Sequence, residues 1–580
     1  MIQVLLDGGK MLMVYWKTLL VFFCTVFGFG GAGFSFFQGW LGGKKWLSFP
    51  LRLGVGTLIL TILTFVLFLV SLLWPGVLGF GAYLIFLCGF LLLAWDLRRR
   101  DDWPQMGMGI LILVLSLLVR LAFVSHLVLP PYSDSPTHDL VVMNLLHPFS
   151  RPDVYYSFAT IFQHYYHYGI HCLGAWLALV SGETSHLILA VIGQFFLVIL
   201  PFSVYALVGV LTRDKSSAWV AGLMAAIGWL MPAFGVNWGK YPALSGLAVL
   251  PIPLAYLLLI HLSKNLPAKW LPFLVSGLLV LGSILLHSRT SLIVALAISA
   301  YLIAIIIEKS FSGKPWLLAL FGFLLVAGLI FWGWLRPDLA GLYILNWPLM
   351  ISLGVLLPLA WLGFPVPTLA TLLFLVGIGF LSTIPVPAFL KGYAFELLDR
   401  QYVQLSLFLP LAVLGGLGLA GLKTRFANRK WIGNASAGLL IILILFKAPP
   451  VPSFYPDQCC NYATRDDLIA FDWLEENASP HALVLIAGLP TTSRMIELDS
   501  GAWVYPVTGL ESKKISLNTD LNDLVFIQEI CQGRDEVYVY LGGLNTGFPS
   551  SAILSNSSVY SLAFASGKTE IFQVMVCKVK

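Results

Sequence analysis

A chain of 580 residues with 58% apolar and only 11% charged side chains is far from a soluble composition, in which about a quarter of residues are charged. The formal charge of +6 carries no nucleic-acid signature, because no basic face is clustered in the sequence. Composition therefore excludes an ordinary soluble domain and points to a polytopic membrane protein.

A membrane span needs about 20 apolar residues. Such runs recur near 17–37, 53–73, 77–95, 106–124, 187–211, 218–234, 244–262, 271–286, 291–307, 315–335, 347–363, 368–384, 402–422 and 431–447, which predicts about fourteen spans. The first run has no small-x-small cleavage site, so no cleavable signal peptide is expected. Its Gly28-Phe-Gly30-Gly31-Ala-Gly33 series suits close helix packing.

Between the fourth and fifth runs the chain changes character. Residues 125–186 hold seven of the ten histidines, together with Asp134, Asp139, Asp153 and Glu183. Charges and unpaired backbone are costly in hydrocarbon, so most of this window belongs outside it. Gly169 to Val180 is apolar but only about a dozen residues long, which suits a re-entrant or interfacial segment.

Orientation follows from Lys and Arg in short loops. The basic loops are Lys44-Lys45 with Arg52, Arg98 to Arg100, Arg213 with Lys215, Lys264 with Lys269, Lys309 with Lys314, and Lys423 to Lys430. All six share one face, the cytoplasm, only if 169–180 does not cross. This places 125–186 and the tail from about 448 outside.

The tail reads as a small α/β domain. Thr464-Arg-Asp-Asp467 looks like a helix N-cap leading into an amphipathic stretch to Glu476. Ala482–Ala487, Glu536–Leu541, Val559–Ala565 and Glu570–Val579 read as strands. Cys459, Cys460, Cys531 and Cys577 can form disulfides there, with connectivity open.

Three constellations can carry chemistry. Pro130-Pro-Tyr132-Ser-Asp134-Ser-Pro-Thr-His138-Asp139 follows the fourth span. An Asp held there suits a general base, and Asp134 with His138 suits a divalent cation such as Mg or Mn. A solvated turn is the plainer reading. His164, His167 and His171 recur at i, i+3, i+7, one helix face. They suit a pocket wall, or an interfacial belt with the adjoining tyrosines. Zinc is disfavoured, because no acidic or Cys partner stands at motif spacing. Lys240 with Tyr241, His287 with Arg289, and Arg400 with Tyr402 fall at outer helix ends, where cations oppose the positive-inside bias. They suit a phosphate, or simple snorkelling.

The order of these parts resembles the GT-C superfamily of membrane glycosyltransferases, which includes protein mannosyltransferases, aminoarabinose transferases and oligosaccharyltransferase catalytic subunits. The likeness rests on Asp134 and His138-Asp139 after a span, the Tyr/His stretch leading to Ser181-Gly182, and Asp399-Arg400-Gln-Tyr402 entering a late helix. It also rests on the tail, with Asp466-Asp467 to Asn477 and Val537 to Gly542.

The resemblance implies an all-α bundle with an extracytoplasmic α/β tail. Residues 1–105 would be additional N-terminal helices, 106–447 the catalytic module, and 448–580 the tail domain. It implies inverting transfer of a sugar from a polyprenyl-phosphate carrier to an extracytoplasmic acceptor (lipid, glycan or protein) in a prokaryotic plasma membrane. Asp134 takes the base role, with Asp139 second and His138 beside them in the catalytic set. Tyr132, the three histidines, Lys240, Tyr241, His287, Arg289, Arg400 and Tyr402 fall to substrate binding. The partners implied are the donor, the acceptor and membrane lipids. A lipid-linked glycan flippase or transporter, a polymerase or ligase, and a non-catalytic assembly protein are the rival readings.

Overall fold

The computed structural model describes residues 2–35, 45–99, 103–147, 166–262, 270–386, 396–446, 454–490, 495–544, 554–555 and 557–578. Each of the fourteen apolar runs contains helix, the conformation that satisfies backbone polar groups within one segment. Among the described residues, nine helices are long and apolar enough to cross a membrane. The other five runs fall short of that length. Trp270–Leu286, Pro365–Leu381 and Lys430–Phe446 are shorter apolar helices, and Trp347–Gly363 bends by 92° from Pro337–Ile344. The α-helix in the run at 218–234 ends at Ile227, where Gly228 and Pro232 interrupt it.

The helices alternate between two ends of the bundle. At one end, the basic end, Lys423 Nζ lies 3.1 Å from Asp214 Oδ1, joining two of the basic loops. Lys264 and Lys269 lie outside the described residues. The opposite end carries the loops around 123–134, 228–240, 287–289 and 382–399, and the tail docks there. The helix Gly169–Ser181 touches this second end twice. His171 reaches His138, and just beyond the helix His186 lies 6.4 Å from the Trp503 ring of the tail. The chain on both sides of this short apolar helix thus meets the same end of the bundle.

An unanticipated helix, Ile2–Val14, precedes the first span. Gly8 makes it fit: a Cβ there would lie 1.7 Å from the Leu118 carbonyl oxygen. Its buried Asp7 accepts hydrogen bonds from Gln3 Nε2 (3.0 Å) and from Tyr455 OH (3.1 Å).

The first three spans are not a separate body. One apolar core runs from Tyr15 and Phe22 to Ile444, and Trp176 Nε1 donates to the Ala82 carbonyl at 3.0 Å. Within these spans Arg52 Nη1 lies 2.5 Å from Asp96 Oδ2, with side chains only 7% and 9% exposed. Gly31 makes room for the pair: a Cβ would sit 2.7 Å from Asp96 Cγ and 3.0 Å from Arg52 Nη1. The glycine series thus serves packing, and one glycine houses an ion pair.

The tail is a mixed sheet with strands β1 (Leu483–Pro490), β2 (Met495–Glu497), β3 (Glu511–Ser516), β4 (Val537–Leu541), β5 (Tyr560–Ser566) and β6 (Thr569–Val574). β1 pairs parallel with β3 and β4 and antiparallel with β2. β4, β6 and β5 follow as an antiparallel series. The helix Arg465–Asn477 starts with a capping box between Thr464 and Asp467. Disulfides join Cys459 to Cys460 and Cys531 to Cys577. The sheet's two faces bury separate cores, and one of them takes in Leu129 from the bundle.

Candidate active site

The segment Pro130–Ser133 sets up the site. Tyr132 has φ 67, a left-handed conformation that costs a bulky residue about 1–3 kcal/mol and needs external support. Its N–H donates to the Cys460 carbonyl of the tail at 2.8 Å, and its ring lies 6.0 Å from Tyr462. The tail thus holds the residue two before Asp134.

Asp134 is the first residue of the helix Asp134–Leu146, where the helix dipole favours a carboxylate. Its Oδ2 lies 2.5 Å from Lys240 Nζ. The approach requires a glycine beside Lys240. Gly239 has φ +62, and a Cβ there would lie 2.7 Å from Ser135 Oγ and 3.3 Å from Asp134 Cβ. Asn237, two residues earlier, accepts the Asp457 N–H at 2.8 Å, a second tie to the tail. Tyr241 OH lies 3.3 Å from Ser135 Oγ.

One turn along from Asp134, His138 is buried. Burial pushes it down to about 4, although Asp134 acts in the opposite direction, so it is neutral near pH 7. Its Nδ1 lies 3.0 Å from His171 Nε2. The imidazoles continue inward, with His167 and His171 rings 6.5 Å apart and His167 and His287 rings 4.3 Å apart. His287 stacks on Tyr402 at 5.0 Å, and its Nδ1 accepts the Arg289 N–H at 3.2 Å.

Arg289 closes the cluster. It pairs with Asp399 and stands 5.7 Å over the Tyr402 ring. Asp399 Oδ1 accepts the Tyr402 N–H at 2.8 Å as helix N-cap. Burial raises the Asp399 carboxyl, but Arg289 and the Tyr402 N–H outweigh it and hold the group below its ordinary value.

The structure brings most of the residues singled out in the sequence together. Asp134, His138, His167, His171, Lys240, Tyr241, His287, Arg289 and Tyr402 form one contiguous cluster, and Tyr132 lies at its edge against the tail. Arg400 does not join it. It is exposed, and its charge acts on Asp338. Asp399 is the extended N-cap, whose side chain turns to the Tyr402 N–H and Arg289, while Arg400 opens the helix on its exposed side. Asp139 is buried on the Asp134 helix, but five positions on turn it about 140° from Asp134.

The expected i, i+3, i+7 helix face is not formed either. The helix begins at Gly169, whose Cβ would lie 2.6 Å from the Leu285 backbone. His167 therefore precedes the helix, and His164 lies outside the described residues. Asp134 and His138, the pair expected to suit a cation, have other neighbours in this structure. Among the described residues no three His, Cys, Asp or Glu side chains are placed to hold a metal ion. Asp134 turns instead to Lys240, and His138 to His171.

Three further participants emerge. Tyr166 lies 3.9 Å from the His167 ring and had its Tyr/His surroundings as a signal. Asp399 had the Asp399-Arg400-Gln-Tyr402 motif. Tyr462 carried none, because it reaches the site only through tail docking. Its phenol is pushed up by burial, and then by Tyr132, Asp499 and Asp134.

Asp499 stands at the carboxyl end of the parallel strands. Burial pushes it up to about 7, and Asp467 adds to the shift. Asp467 Oδ1 accepts from Ser500 Oγ, Tyr540 OH, Gly543 N–H and Thr569 Oγ1 at 2.6–2.9 Å. Folded Asp499 keeps its proton up to about pH 7, and an unfolded Asp only to about 3.9. Between those values the folded tail binds the extra proton. The stabilisation is full below the unfolded value and declines as pH rises toward 7, by about 1.4 kcal/mol per unit at most. Amide exchange in β1 and β4, corrected for intrinsic rate, should be slower at pH 5 than at pH 8. Asp499→Asn, which keeps an acceptor for the Gly501 N–H, should flatten that difference. An unchanged pH response in the variant would rule out Asp499 as its source.

In comparisons with known protein families and with curated proteins, the chain matches none.

Proposed function

We propose that this protein is a GT-C-type glycosyltransferase that moves a sugar from a polyprenyl-phosphate donor to an extracytoplasmic acceptor with inversion. On this reading the fourteen apolar runs cross the membrane, the basic loops are cytoplasmic, and the Asp134 cluster and tail lie outside. The supporting observation is that a carboxylate, Asp134, and two cations, Lys240 and Arg289, share one polar cluster at the tail end of an apolar bundle.

Each part has a chemical task. Asp134 takes the acceptor proton. Lys240 and Arg289 receive the phosphate and stabilise the negative charge that grows on it as the sugar leaves. Neutral histidines and Tyr402 form a polar wall without adding charge. A lipid-anchored donor needs no nucleotide-binding loop, and the chain has no Gly-rich phosphate motif. The buried Arg52–Asp96 pair, which a transporter reading would use, lies toward the basic end of the bundle and away from this cluster.

Mass spectra of extracted lipids test the reading. Cells with active protein should consume a polyprenyl-phosphate sugar and form a glycosylated product, and cells with an inactive variant should accumulate the donor. Identical lipid and acceptor profiles would sink it.

A further inference from the structure

This inference rests on the proposed donor site. Both cations nearest Asp134 already have carboxylate partners: Lys240 has Asp134, and Arg289 has Asp399. Both pairs are made across the fold, between residues 106 and 110 positions apart. All four side chains are partly enclosed, from 18% to 36% exposed. Leaving one of them without a partner is therefore costly, but an incoming ligand can still reach them. Lys240 also acts electrostatically on Asp399, so the two pairs form one set of alternating charges. Asp399 has a second tie as a helix N-cap that accepts the Tyr402 N–H, and it keeps that bond when Arg289 leaves it.

A lipid phosphate is a better partner for both cations. Arg can grip it with a bidentate fork and Lys as a point charge. A carboxylate still held by Lys240 is a poor base, because its charge is already neutralised. We propose that the donor phosphate exchanges partners with these pairs, taking Lys240 from Asp134 and Arg289 from Asp399. Asp134 then becomes an available base only when the donor is seated. In the transfer that follows, the acceptor oxygen bonds to the anomeric carbon and the anomeric carbon–phosphate oxygen bond breaks. Its electron pair leaves with the phosphate, and the acceptor proton passes to Asp134. The donor binds first, and in the empty site Asp134 is held by Lys240.

A double-mutant cycle on the full chain in lipid nanodiscs tests the exchange, with a short-chain polyprenyl monophosphate as probe. Asp134→Asn removes the competitor for Lys240 and should tighten binding by about tenfold, and Lys240→Met should weaken it similarly. On the Lys240→Met background, Asp134→Asn should add nothing. Asp399→Asn provides the same test for Arg289 and keeps a good N-cap, so the cycle survives if an Asp134 variant misfolds. Its gain should vanish with Arg289→Met. If the wild type binds the probe and neither Asn variant tightens it, or if the gains persist without the cations, the exchange is overturned and the donor site stands. If the wild type does not bind the probe at all, the donor-site reading fails and the exchange with it.

Discussion

Asp134→Asn is expected to lower turnover by about 10²–10⁴-fold, the usual loss when a general base is removed. The helix should survive, because Asn is nearly isosteric and Asp134 sits at the helix start. Donor affinity should not fall with the rate, because the phosphate is held by Lys240 and Arg289. A separation of turnover from donor binding is therefore the signature of a base. Near-normal turnover would move the role away from Asp134. Asp139 is the second carboxylate of that segment, but the helix turns it to a different face.

The second large effect concerns stability. Asp96→Ala leaves the Arg52 guanidinium buried among the first spans without its carboxylate. Removing one member of a buried pair costs about 3–5 kcal/mol. Replacing both members with leucine should recover most of that loss, because two apolar side chains of similar volume carry no desolvation penalty. Thermal unfolding of the purified variants measures both. Equal loss in the single and double variants would show that the position needs the ion pair for packing, not for charge balance.

The bundle was legible because hydrocarbon permits few alternatives. An apolar run must be helical, and Gly169 to Val180 forms a short apolar helix as its length suggests. Helix length within a run was less legible. Lys215–Ile227 ends early because Gly228 and Pro232 break it, and no apolar count registers that. The helix Ile2–Val14 was missed because Asp7 and Lys10 interrupt its apolar pattern. In the tail, β3 was missed because Glu511-Ser-Lys-Lys-Ile-Ser buries only Ile515 and shows little apolar signal.

Most of the candidate site was legible by residue type and position, because Lys240, His287 and Arg289 are polar groups placed where apolar spans end. What failed was orientation. Whether Arg400 or Asp399 faces inward depends on where the helix starts, with Asp399 as its N-cap, which a loop motif does not reveal. The histidine spacing suggested one helix face, but the rings meet through a helix start and neighbouring chain segments. Tyr462 and the Tyr132–Cys460 hydrogen bond depend on domain docking, a long-range contact that no local pattern encodes.

The most direct measurement is an experimental structure of the full chain with a polyprenyl monophosphate bound. The account predicts phosphate density in hydrogen-bond contact with Lys240 or Arg289, beside Asp134, with the isoprenoid chain leaving between helices. Phosphate density elsewhere on the bundle, with the Lys240–Asp134 and Arg289–Asp399 pairs intact, would contradict it.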